Sequence, residues 1–140
     1  MRDRRCFLAH FAICLAIGAG FFLSWINGVP QLIYASDESH VTSILLGFFV
    51  FTSLVLGVSA WEITEVTSTA YGHFAETVSV LLGMLGTTIG LSIQAKTLIS
   101  GSAGLLPLST SLFTTGVGIA CCIAIKVMTF NLQRGIERRW

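Results

Sequence analysis

Long apolar runs separated by short polar segments dominate the chain. No Asp, Glu, Lys or Arg occurs from Cys6 to Ser36, from Ser39 to Trp61, from Thr77 to Ala95 or from Thr97 to Ile125. A helix that crosses a bilayer needs about 20 mainly apolar residues, so each interval has room for one. The pattern predicts helices at Cys6–Trp25, Val41–Trp61, Thr77–Gln94 and Ser109–Phe130. The first gap, Ile26–His40, is a polar loop with Asn27-Gly28, Pro30 and the acidic pair Asp37-Glu38. The second, Glu62–Glu76, holds three acids and no Lys or Arg, and its Thr/Glu composition can carry helix beyond the bilayer. In the third, Lys96, Ser100-Gly101-Ser102-Ala103-Gly104 and Pro107 form an outer turn. Trp25 and Trp61 stand at helix edges, where interfacial tryptophan is favoured.

Composition agrees. Apolar residues make up 54% and charged residues 11% of 140, against roughly 25% charged in a soluble domain. The whole chain, 1–140, reads as a single membrane domain with little left over for a soluble catalytic one, so no enzyme is expected. A net charge of +1 with no basic run outside the tails excludes a nucleic-acid role. The basic start Met1–Arg5 followed by an apolar run has the form of a signal peptide, with Tyr34-Ala35-Ser36 as a loose cleavage site. That run exceeds the 7–15 residues of a signal core, so a retained first helix is expected.

Orientation follows from the arginines. Arg2, Arg4 and Arg5 lie at one end and Arg134, Arg138 and Arg139 at the other. Four spans bring both ends to one side, and the excess of basic residues makes that side cytoplasmic. Lys126 falls about a turn inside the last helix, where it can snorkel to headgroups or meet an acidic partner within an assembly. Cys6, His10 and Cys14 follow one another at i, i+4 and i+8. That spacing suits a metal, but with no fourth ligand in sight it reads as a small-residue packing stripe, so no metal or cofactor is expected. Cys121 and Cys122 also lie within a span, and no disulfide framework is expected.

The last two helices carry matching stripes of small and hydroxyl residues. Gly83, Thr87, Gly90 and Gln94 recur at i, i+4, i+7 and i+11, and Ser111, Thr115, Gly118 and Cys122 repeat that spacing. Each stripe occupies one helix face. Such faces serve close packing through small-xxx-small contacts, as at Gly86 and Gly90, or line a pore. No carboxylate falls in the middle of any predicted span, although ion-coupled carriers place one there. A proton pathway would therefore need its titrating carboxylate from a partner.

With these features in view, Leu82-Gly83-Met84-Leu85-Gly86-Thr87-Thr88-Ile89-Gly90-Leu91 resembles the L-G-L-L-G-T-V-x-G-[IL] signature of the MotA/TolQ/ExbB proton-channel family. Ser111-Leu112-Phe113-Thr114-Thr115-Gly116-Val117-Gly118-Ile119-Ala120 resembles that family's A-L-x-x-T-A-x-G-L-x-x-A helix, and Phe130-Asn131 resembles the aromatic-Asn that closes it. The resemblance covers residues 78–134. It implies an all-α membrane protein with four transmembrane helices, both termini cytoplasmic, assembled as a pentameric ring in the lipid of a bacterial inner membrane. The ring would surround a single-span partner similar to MotB, ExbD or TolR, whose membrane aspartate carries the proton. By motif position, Thr87 and Thr115 are the pore-facing threonines with Thr88 and Thr114 beside them, and Gly83, Gly86, Gly90 and Gly118 pack the helices.

Several positions depart from the family. Its large cytoplasmic domain is reduced to Glu62–Glu76, Ile123-Ala124-Ile125 stands where a proline is usual, and Thr110 occupies a glutamate position. Spacing from Gly118 to Asn131 is one residue longer. The expected role is a minimal channel or motor subunit that uses a proton gradient to energise a partner complex. The rival is a small holin-like or structural membrane protein without specific proton conduction.

Overall fold

The structure is a computed structural model that describes residues 4–28, 31, 40–63, 67–99 and 106–138. Among these residues it is all-helical, with α1 at Arg4–Ile26, α2 at Val41–Trp61, α3 at Ala70–Ile99 and α4 at Leu106–Glu137. All four are long and apolar enough to cross a membrane, which makes this a multi-pass membrane protein. The Tyr34-Ala35-Ser36 site, Pro30, Asp37-Glu38, the Ser100–Gly104 turn, Arg2 and Arg139 lie outside the described residues.

The ends of the helices follow local chemistry. After α1, Gly28 takes a left-handed φ of 74°, and the Asn27 side chain donates to the Leu23 carbonyl at 2.8 Å. These bonds stop the helix where a polar loop begins. Helix α2 has the limits read from the sequence. Helix α3 starts earlier than its uncharged stretch suggests. The Ala70 N–H donates to the Ser68 hydroxyl at 3.1 Å and the His73 N–H to the Thr69 carbonyl at 3.1 Å. This capping draws Ala70–Glu76 into the helix, so Glu76 belongs to its second turn and not to the connector. Helix α4 begins at Leu106 with Pro107 in its first turn, where the missing N–H of proline costs no hydrogen bond.

Helix α4 packs against the other three, while α1 and α3 do not touch among the described residues. The core lies between α2 and α4, where Leu56, Ala60, Ile125, Met128 and Leu132 are buried with Cys6 of α1 and Ile63. Helix α3 contributes almost no bulk. Its buried seam is Gly72, Ala75, Ser79, Gly83, Gly86 and Gly90, with no residue larger than serine. Small residues let its backbone approach α4 closely, and dispersion over that contact replaces the hydrophobic effect that lipid cannot supply. At 30 and 32 residues, α3 and α4 are about 45 Å long, beyond the roughly 30 Å hydrocarbon thickness. Val41, the first residue of α2, meets Gly86, so α3 runs on about 20 Å past that end.

Candidate functional site: the seam between α3 and α4

At the crossing point two glycines face each other. A Cβ on Gly118 would stand 2.8 Å from the Gly83 Cα and 3.0 Å from the Ser79 carbonyl oxygen. One on Gly83 would stand 3.1 Å from the Gly118 Cα. Backbone yields less readily than a flexible side chain, so an alanine at Gly118 must push the helices apart and one at Gly83 crowds the same contact. Gly86 is similarly filled, by the Thr114 side chain and by Val41 Cγ1.

The four threonines do not gather into one cluster. The Thr87 and Thr115 hydroxyls hydrogen-bond each other across the seam. One of the two donates to the other, and the Gly83 carbonyl, 3.1 Å from the Thr87 hydroxyl and 3.4 Å from that of Thr115, accepts the remaining proton. Both are half-buried. Thr114 is buried and turned toward α2, sharing a 3.3 Å hydrogen bond with the Thr42 hydroxyl. Thr88 is exposed and bonds back to the Leu85 carbonyl at 2.8 Å, with Ser92 stacked on it in the same way. Successive helix residues diverge by about 100°, which separates Thr114 from Thr115 and Thr87 from Thr88. The structure thus gives one hydroxyl pair on the open flank of the seam, one buried threonine and one threonine on an outer surface. Gly83, Gly86, Gly90 and Gly118 are all buried.

The Cys6–His10–Cys14 stripe resolves into packing contacts. His10 is buried and its Nε2–H donates to the Ser53 carbonyl of α2 at 3.0 Å, which puts the ring proton on Nε2. Gly57 makes the room, since a Cβ there would lie 3.1 Å from that nitrogen. Cys14 Sγ lies 3.3 Å from the Ser53 hydroxyl, which donates to Met128 Sδ at 3.7 Å. Asn131 Nδ2 donates to the Cys6 carbonyl at 3.0 Å, and the Cys6 thiol to the Asn131 carbonyl at 3.5 Å. Among the described residues no three His, Cys, Asp or Glu side chains are placed to hold a metal, and the four cysteines are free thiols. These polar contacts hold α1 to α2 and α4.

Sequence periodicity did not single out Thr42, Ser53 or Gly57, because a lone hydroxyl or glycine in an apolar run carries no pattern of its own. Glu76 escaped notice for another reason, since charge distribution alone assigned it to a connector. Its side chain is 14% exposed, and Oε1 lies 3.5 Å from His73 Nδ1. Comparison of the chain with family models, with characterised proteins and with solved structures finds no match in any of the three.

Proposed function

We propose that this chain is a subunit of a proton-conducting channel or motor complex in a bacterial inner membrane. Both ends are cytoplasmic, and copies assemble as a pentameric ring around a single-span partner that carries a membrane aspartate. The MotA/TolQ/ExbB-like signatures in α3 and α4 are its sequence support. The observation that carries it is the half-buried Thr87–Thr115 hydroxyl pair, on the flank of the α3–α4 seam away from the Thr114 contact with α2. Hydroxyls there can hydrogen-bond a partner carboxylate and a short water chain, favouring reversible protonation in a low-dielectric site.

The test is proton flux in vesicles holding this chain and its partner, with assembly size read on a native gel. Thr87→Val and Thr115→Val keep shape and delete hydrogen-bonding capacity, so each is expected to abolish or sharply reduce flux with the ring intact. Thr97→Val, nearer the outer end of α3, leaves flux unchanged. Full flux in the double valine variant would overturn the assignment.

A second reading has its own support. Both hydroxyls of the pair are already satisfied within one chain, through each other and the Gly83 carbonyl. A structural or holin-like protein needs nothing more from them than helix packing, and its double valine variant would lose only stability.

A further inference from the structure

Arginines from opposite ends of the sequence meet at one end of the bundle. Cys6, in the first turn of α1, packs on the last turns of α4. Asn131 Nδ2 donates to its carbonyl at 3.0 Å, and a Cβ on Gly135 would stand 2.8 Å from its Sγ. Arg5 directly precedes Cys6, while Arg134 and Arg138 lie on either side of Gly135. The Arg138 N–H donates to the Arg134 carbonyl at 3.2 Å, so the helical turn continues as far as Arg138. All three side chains are exposed.

Helix geometry sets the direction of each relative to α2. On α1, Phe7 lies about 100° from Cys6 and meets Trp61 of α2 with ring centroids 4.7 Å apart. Arg5 lies about 100° from Cys6 in the opposite sense, away from α2. On α4, Leu132 lies about 60° from Gly135 and packs in the core with Leu56 and Ala60 of α2. Arg138 and Arg134 lie about 60° and 100° from Gly135 in the other sense. The three arginines therefore line one groove, between α1 and α4 on the side that α2 does not occupy. Glu137 is turned about 160° from Gly135, to the far face of α4, where Gln133 Nε2 donates to it at 2.9 Å.

Below the arginines the groove is apolar. Ala9 and Ala12 follow Arg5 on its face of α1, Val127 and Ile123 precede Arg134 on its face of α4, and all four are exposed. The Arg134 guanidinium lies over the Phe130 ring, 4.6 Å from the centroid. Stacking engages the flat face of the guanidinium, and its N–H donors point outward from the edge. The apolar span of α1 begins at Arg5 and that of α4 finishes at Glu137. Headgroups are met where spans end.

From this juxtaposition we infer that Arg5, Arg134 and Arg138 form a binding site for one anionic phospholipid, its phosphate on the guanidiniums and an acyl chain along the groove between α1 and α4. Charge complementarity selects the headgroup, because guanidinium forks bind phosphate oxygens in pairs and basic pockets between membrane helices hold anionic headgroups. A choline headgroup would instead bring its own cation against the arginines. The apolar walls favour a lipid over a soluble phosphate. Such a lipid bridges the first and last helices, and the inference stands apart from proton conduction.

The experiment adds phosphatidylglycerol or phosphatidylcholine with identical acyl chains to the full chain in neutral detergent micelles, and counts retained lipids by native mass spectrometry. One phosphatidylglycerol per chain is expected to be retained in preference to phosphatidylcholine. R5Q, R134Q and R138Q should each weaken that retention about fivefold, the effect of losing one cation beside a headgroup. K96Q removes the same charge from the last turn of α3 and should leave retention unchanged. R134K keeps the charge without the fork and should fall between R134Q and the parent. A9F fills the groove and should weaken retention with every arginine in place. The substituted side chains are all exposed, so the variants are expected to fold as the parent does. Equal retention of the two lipids, or a preference that survives all three glutamine variants, would overturn the inference. So would an equal loss in K96Q, which would reveal an effect of net charge alone. Inorganic phosphate retained as tightly as phosphatidylglycerol would make the ligand a free anion and overturn the lipid assignment.

Discussion

Gly118 offers the sharpest test of the packing. In Gly118→Ala the new methyl carbon would sit 2.8 Å from the Gly83 Cα and 3.0 Å from the Ser79 carbonyl oxygen. Ordinary contact begins near 3.4 Å, so α3 and α4 must separate by several tenths of an ångström. That separation loosens dispersion along the glycine seam and stretches the Thr87–Thr115 hydrogen bond. Overpacking of this kind costs about 1–3 kcal/mol. Alanine also gains about 1 kcal/mol of helix propensity over glycine, which masks part of the loss. Gly116→Ala supplies the correction, because Gly116 is exposed with open space around its Cα and gains the same propensity without overlap. The difference between the two variants isolates the clash. It should be about 1–3 kcal/mol, or roughly 5- to 140-fold in the unfolding equilibrium. The assay is reversible unfolding in mixed lipid–detergent micelles, followed by tryptophan fluorescence. Gly83→Ala meets the same contact, so the double variant should cost less than the sum of the singles. Gly118→Ala as stable as Gly116→Ala would refute the crossing point.

Three further outcomes follow from the same contacts. Gly57→Ala pushes a methyl toward the His10 ring and should cost about 1–2 kcal/mol through the weakened bond to Ser53, measured against Gly47→Ala, which lies in open space and should show only the propensity gain of about 1 kcal/mol in the same unfolding assay. Asn131→Leu removes the donor to the Cys6 carbonyl and should cost about 1 kcal/mol, with faster hydrogen exchange confined to the start of α1; protection unchanged there would show that this bond does not hold α1. Single cysteines at Ser36 and Ser102 should react with an impermeant thiol reagent from outside, and one at Ser68 should not, each in a background lacking the native cysteines. External reaction at Ser68 would reverse the proposed topology.

Some of this architecture is legible without coordinates, because lipid imposes a simple rule. A segment either satisfies its backbone internally and presents apolar side chains, or it stays out. The charge-free intervals therefore located all four helices, and for α2 both ends. The stripe Gly83–Thr87–Gly90 and its counterpart Thr115–Gly118 were read as faces for close packing or for a pore, and Gly83 and Gly118 meet where α3 crosses α4. The spacing did not separate Gly116 from Gly118, or Thr114 from Thr115. Neighbours on a helix point about 100° apart, and only the position of α2 decides which of them is buried. Glu76 shows the limit most clearly. Its charge placed it outside the bilayer as long as helices were delimited by hydropathy alone. The capping at Ser68 and Thr69 starts α3 sooner and takes Glu76 into its second turn, 3.5 Å from His73. Periodicity along one helix gives the face of each residue, whereas depth and cross-helix pairing arise only when several helices are packed together.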